Sequence, residues 1–199
     1  MPVLLIATNN RHKIEELRQI LVDVLGADAI ELKGADEFPD IPAPEETGST
    51  FEANAVIKAQ AYASATGLLT LADDSGLVVD ALGGRPGVMS ARYAATTEAR
   101  NERVLGEMAD VPAEKRAARF VCVAALAAPG GAVQTRTGTV EGRIAFAPRG
   151  AAGFGYDPIF ELTEPPYAGF TTAELTAAQK HSISHRGRAL RAIAPLIPR

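Results

Sequence analysis

With 199 residues, 47% of them hydrophobic and 22% charged, the chain has enough apolar material for a sizeable core and too little charge for a disordered segment. Its net charge of -4 excludes a general attraction to nucleic acid, so an anionic ligand must be met by locally placed cations. The only cysteine, Cys122, excludes an intrachain disulfide and a cysteine-based metal cluster.

The opening MPVLLIATNN holds a short apolar run with no basic region before it, which predicts neither a signal peptide nor a membrane span. A cytoplasmic protein is the simplest reading, folded as one domain over residues 1–199 that can be two-lobed. Val3 to Ala7 is a strand candidate. Thr8, Asn9 and Asn10 can end it and cap a helix, because Ile14, Leu17, Ile20, Leu21, Val24 and Leu25 then recur at helical spacing until Gly26. This strand-turn-helix unit places Thr8, Asn10 and Lys13 at a helix N-terminus, where free N–H groups and the positive end of the dipole favour phosphate. The glycines of a Walker loop are absent, and ordinary capping competes with the phosphate reading.

A strand near Ile30 to Leu32 precedes FPDIPAPEETGS, which is too rich in proline for a helix. Ser49 with Glu52 reads as a capping box for an alanine-rich helix from Phe51 to Thr66, stopped by Gly67. Asn54 and Lys58 lie four apart on one face of it. Glu45 and Glu46 stand before this helix, so a carboxylate from each end of the unit can meet at one metal, although a solvated acidic loop is the plain alternative.

The helix leads into LLTLADDSGLVVD, Leu68 to Asp80, which predicts two short buried strands flanking a Ser75-Gly76 turn. Successive side chains of extended backbone point to opposite sides, so one of Asp73 and Asp74 can face a cleft while the other is held by the interior. Such a pair suits Mg²⁺, which is usually held by one or two carboxylates together with substrate phosphates.

Beyond it, LGGRPGVMSARY reads as a flexible flap, Thr97 to Met108 as a short helix, and Arg119 to Ala128 with Val133 to Val140 as a hairpin. Pro148 to Pro158 sets Phe154, Tyr156 and Asp157 among glycines, on backbone that a ligand can approach closely. Phe154 is placed to stack on a base, or else is a core aromatic beside tight turns. The remaining chain offers a helix carrying Lys180, a Ser-His-Arg-Gly segment with His185 and Arg186, and a closing helix before Pro195.

Seven segments in order, Thr8-Asn9-Asn10-Arg11-His12-Lys13, Glu45-Glu46-Thr47-Gly48, Phe51-Glu52-Ala53-Asn54-Ala55, Ala72-Asp73-Asp74-Ser75-Gly76-Leu77, Pro86-Gly87 with Ser90-Ala91-Arg92-Tyr93, Gly153-Phe154-Gly155-Tyr156-Asp157-Pro158 and Ser184-His185-Arg186-Gly187, make the chain resemble the inosine triphosphate pyrophosphatase family. Asn9 departs from the glycine of many members. The resemblance implies an elongated, two-lobed mixed α/β protein with a central sheet, a nucleotide cleft between the lobes, and a homodimer. It implies Mg²⁺-dependent hydrolysis of non-standard purine nucleoside triphosphates (ITP, dITP, XTP) to monophosphate and pyrophosphate, with no nucleic acid or membrane partner. Asp74 is then the metal-site base, supported by Glu46, Glu45 and Asp73. Thr8, Asn10, Lys13, Ser75 and Lys180 are candidates for the phosphates, helped by Lys58; Phe154, Tyr156 and Asp157 with His185 and Arg186 are candidates for base and sugar; and Asn9, Arg11, His12 and Gly155 are further substrate-binding candidates. A related pyrophosphatase for pyrimidine or modified nucleotides, and a nucleotide-binding sensor without turnover, are the rival readings.

Overall fold

The computed structural model describes residues 2–198. The chain forms two compact units, one from the residues up to Asp74, 122–138 and from His185 on, the other from 75–121 and 139–184. Among the described residues the strands form a six-stranded sheet in the order β2-β1-β3-β4-β5-β6. They are β1 Val3–Ile6, β2 Glu31–Gly34, β3 Leu69–Val79, β4 Ala117–Ala127, β5 Val133–Ile144 and β6 Phe160–Leu162. β1 runs parallel to β2 and β3, and β5 antiparallel to β6, so the sheet is mixed. No helix of the described residues is long and apolar enough to cross a membrane.

In the first unit the strands alternate cleanly between two apolar layers. Leu4, Ile6, Leu71, Cys122 and Ala124 face a layer with Leu17 and Ile20 of helix α1 (Arg11–Leu25) and Ala189, Leu190 and Ile193 of helix α5 (His185–Ile193). Leu5, Ala7, Ala72, Val123 and Ala125 face the other, with Ala55, Ala59, Tyr62 and Ala63 of helix α2 (Phe51–Thr66). Strands buried on both faces read as continuous apolar runs, as β1 and β4 do. The small residues of α2 let that helix lie close to the sheet. α2 has the predicted limits, but its N-cap is Thr50, whose side chain accepts from Ala53 N, and not Ser49. Thr50 is the residue three before the N3 amide, the spacing that a cap requires.

The second unit gathers Leu77, Val79, Ala118, Phe120, Val140, Ile144, Ile159 and Phe160 with Val104 of helix α3 (Thr97–Glu107) and its C-cap Met108. Phe120 and Phe160 stack in a tilted pair with centroids 4.4 Å apart. The predicted hairpin is present, as β4 and β5, both longer than expected.

Two expectations are overturned here. Ser75 and Gly76 make no turn: β3 is one continuous strand of 11 residues. A Cβ on Gly76 would lie 2.3 Å from Ser90 Oγ and 2.6 Å from Gly87 O, so the glycine admits a neighbouring segment rather than reversing the chain. That neighbour is the supposed flap. It is built as 3-10 helices at Asp80–Leu82 and Gly87–Arg92, with Ser90 and Tyr93 buried. Ser90 Oγ accepts from Leu77 N at 2.9 Å and donates to Gly87 O, which fixes the segment against β3.

Candidate active site

Strand alternation divides the labour of the two aspartates. Asp73 points, like Leu71, to the α1 and α5 side, where Lys13 Nζ lies 3.1 Å from its Oδ2 and Arg186 Nη2 3.3 Å from the same oxygen. Arg186 also holds Glu16 of α1, and the Cys122 thiol sits 3.8 Å from Asp73 Oδ2. Asp73 and Arg186 are both about fully buried, at 1% and 1% exposure. Burial opposes ionisation of Asp73, but Lys13, Arg186 and Lys58 together outweigh it and hold the carboxyl well below the usual aspartate range. The same burial, aided by the negative Asp73, pushes the Cys122 thiol up to about 12.

Asp74 points, like Ala72, toward α2. Its Oδ1 lies 3.2 Å from Lys58 Nζ and its Oδ2 accepts from Asn54 Nδ2 at 3.3 Å. Lys58 is shared, since Glu46 Oε1 approaches the same ammonium to 2.8 Å. Asn54 fixes the approach of that loop, because its Oδ1 accepts from Gly48 N at 2.8 Å, two residues beyond Glu46. Burial raises the Asp74 carboxyl above the ordinary 3.8; Lys58 and Lys13 pull it back, and Glu46 adds to the rise. A raised carboxyl beside a second carboxylate and a half-buried lysine is a poised proton acceptor.

These residues can accommodate Mg²⁺ through Asp74 and Glu46, two carboxylates held around one cation, with phosphate oxygens completing the set. They form no closed cage: among the described residues no three His, Cys, Asp or Glu side chains group as a metal site. Glu45 is exposed, and Asp73 has its Oδ2 committed to Lys13 and Arg186.

The turn after β1 is formed as expected. Asn10 caps α1 by accepting from Lys13 N, and Thr8 Oγ1 accepts from Asn10 N. Asn9, Asn10, Arg11 and His12 are exposed, Thr8 and Lys13 partly so, and no acidic side chain occupies the first turn of the helix. An anion at this N-terminus meets the helix dipole without a competing carboxylate. His185, the first residue of α5, is buried, and Ser75 is half-buried on β3.

In the second unit Phe154, Gly155, Tyr156 and Asp157 divide into two roles. Asp157 is 2% exposed and accepts from Phe154 N at 2.8 Å, Thr172 Oγ1 at 2.8 Å and Lys180 Nζ at 2.6 Å. Lys180 Nζ also lies 4.8 Å from the centre of the half-buried Phe154 ring. Tyr156 belongs to the core, with its hydroxyl donating to Ser90 O at 2.8 Å. Arg186, expected in the base and sugar pocket, is buried and pairs with Asp73 and Glu16. Sequence reasoning missed Glu16, although its position three residues after Lys13 puts both on one helix face. It also missed Thr172, for which no local spacing gives a signal.

A mixed α/β sheet that carries a charge-compensated aspartate pair beside an open helix N-terminus defines a protein built to handle anions. The chain belongs to the Ham1 family, whose model matches residues 4–196. The dITP/XTP pyrophosphatase of Streptomyces coelicolor is 48% identical to it over 201 residues, covering 99% of this chain and 98% of the relative. That of Geobacter sulfurreducens is 50% identical over 193 residues, with 96% and 94% covered. Among solved structures, a HAM1 protein from Coxiella burnetii superposes with a TM-score of 0.86 at 42% identity, covering 98% of each chain.

Proposed function

We propose that this chain hydrolyses non-standard purine nucleoside triphosphates, ITP, dITP and XTP, to the nucleoside monophosphate and pyrophosphate, as a homodimer that uses Mg²⁺. The observation that carries the reading is Asp74, a buried carboxyl raised above its ordinary value and held between Asn54 and Lys58. Full-length relatives named dITP/XTP pyrophosphatase support it. Asp74 accepts a proton from the water that attacks the α-phosphorus, and pyrophosphate leaves from the other side. Asp74 and Glu46 would hold Mg²⁺, which supplies positive charge to the triphosphate when bound. Lys13, Thr8, Asn10 and the first N–H groups of α1 bind phosphate oxygens, with Ser75 as a further donor. Lys58 keeps Asp74 and Glu46 together despite their like charge.

Phe154 offers its ring face to the base, and Lys180 a cation at that face. His185 is the candidate for reading the base edge. Hypoxanthine and xanthine present a 6-oxygen acceptor where adenine presents an amino donor, so donors aimed there favour the former. The test is phosphorus NMR of the initial products from ITP and from ATP with Mg²⁺. Pyrophosphate and IMP are expected, with ATP turned over poorly. Inosine diphosphate and orthophosphate would place the cut at the γ end and overturn the reading.

A further inference from the structure

The carboxylate of Asp157 collects three donors from three places in the chain, and one of them has no other assigned use. Thr172 opens a 3-10 helix, Thr172–Glu174, and is 4% exposed. Its Oγ1 donates to Asp157 Oδ1 at 2.8 Å, while Asp157 Oδ2 receives Phe154 N and Lys180 Nζ. The segment around Thr172 is itself anchored to the glycine-rich loop. Thr171 Oγ1 donates to Arg149 O at 2.8 Å, and Ala152 N to Ala173 O at 3.0 Å. Close contact continues along it, since a Cβ on Gly150 would lie 2.4 Å from Ala173 O. Gly153 has φ +74, and a Cβ there would lie 2.1 Å from Asp157 Oδ2, so the loop closes tightly around the carboxylate.

A carboxylate fixed at one oxygen has little freedom to turn about its last bond. With Oδ1 on Thr172, Oδ2 is aimed at both the Phe154 amide and the Lys180 ammonium. Without that hydroxyl Oδ1 loses its donor, and the orientation of the carboxylate rests on the two donors at Oδ2 alone, so the ring and the cation share a looser anchor. We propose that Thr172 is a positioning residue that locks Asp157, and through it presents Phe154 and Lys180 as one surface for a planar, oxygen-bearing base. This inference rests on the function proposed above for the choice of ligand. The lock itself is a property of the second unit and is read without turnover.

The experiment compares wild type with Thr172→Val, of the same shape without the hydroxyl, and Thr172→Ser, which restores it. Steady-state kinetics with ITP are expected to show KM raised about 10-fold in Thr172→Val, the lower end for removing one donor to a charged group. The accompanying fall in kcat is under about threefold, because the groups around Asp74 are untouched. Thr172→Ser returns KM to within about threefold of wild type, since one hydroxyl donor is regained. Amide hydrogen exchange at Phe154 is measured in parallel on the nucleotide-free chains. Its protection is expected to fall about 10-fold in Thr172→Val and to recover in Thr172→Ser. Unchanged exchange in Thr172→Val, or a serine variant no better than valine, overturns the lock. Loss of kcat at constant KM overturns the assignment to ligand presentation. If wild type fails to hydrolyse ITP while the exchange pattern behaves as stated, the functional reading fails and the lock stands.

Discussion

Replacing Asp74 by Asn separates the chemistry from the fold, because the side chain keeps its shape and loses only its charge and its basic oxygen. If Asp74 is the proposed proton acceptor, the variant is expected to lose about 10²- to 10⁴-fold in kcat, and weaker retention of the proposed metal adds to the loss. The stability change is the balance of two opposed effects. The asparagine amide must turn its NH₂ toward Lys58 Nζ or Asn54 Nδ2, both donors, which forfeits one hydrogen bond worth about 1.5–3 kcal/mol. Against this, the folded-state value of Asp74 lies above 3.8, so its contribution turns unfavourable as the pH rises past 3.8 and is fully unfavourable above the raised value. Asn removes that penalty at neutral pH. A net effect of about 1 kcal/mol moves Tm by only about 2–4 °C in a chain of this size. The assay is pyrophosphate release from ITP at saturating Mg²⁺, beside thermal unfolding in EDTA. Retention of more than about a tenth of wild-type kcat refutes the role of Asp74, since it falls short of the smallest loss expected of a general base.

Asp73→Asn is expected to do the reverse and cost about 3–5 kcal/mol of stability, since it leaves Lys13 and Arg186 facing a buried neutral group; calorimetry in EDTA checks it, and a loss under about 1 kcal/mol would contradict the pairing. The Asp73 carboxyl is depressed below 3.8, so its contribution to stability is present above that pH and is lost as the pH falls below it. Cys122, at about 12, leaves roughly 10⁻⁴ of its thiol ionised at pH 8, and iodoacetamide is expected to label it only after denaturation. Wild type is expected to prefer ITP over ATP by about 10²- to 10⁴-fold in kcat/KM, as sites that read polar groups do. In His185→Ala that ratio should shrink; equal wild-type rates would sink base reading altogether, and an unchanged ratio in the variant would remove the His185 side chain from it.

Much of the first unit was legible because its signals are local. The limits of α2 follow from an alanine-rich run and Gly67, and the turn after β1 from the break in apolar periodicity at Thr8. The Asp73-Asp74 pair announces itself by adjacency. What stayed hidden are decisions made by distant residues. Gly76 looks like a turn former until Ser90 is placed beside it, 14 positions away. Tyr156 and Arg186 carry polar groups that suit a ligand site, and only tertiary partners, Ser90 O for one and Asp73 with Glu16 for the other, assign them to the interior. Thr172 meets Asp157 through a fold-back that no periodicity encodes.

The unbroken course of β3 makes the distinction between its two aspartates one of parity. In its first half Leu69 and Leu71 belong to the α1 and α5 layer and Ala72 to the α2 layer, while Leu77 and Val79 pack in the core of the second unit. Inserting or deleting one residue between Leu69 and Ala72 would exchange the environments of the two acids, turning Asp74 toward Arg186 and Asp73 toward Lys58. A two-residue change would keep the parity but slide both carboxylates by about 6.6 Å along the strand, out of reach of the cations they now touch. The segment is therefore expected to tolerate substitution but not a change of length. A genetic library of short insertions scanned through Leu69 to Asp74 should yield no active clone, while insertions in the Pro129-Gly130-Gly131 turn are tolerated.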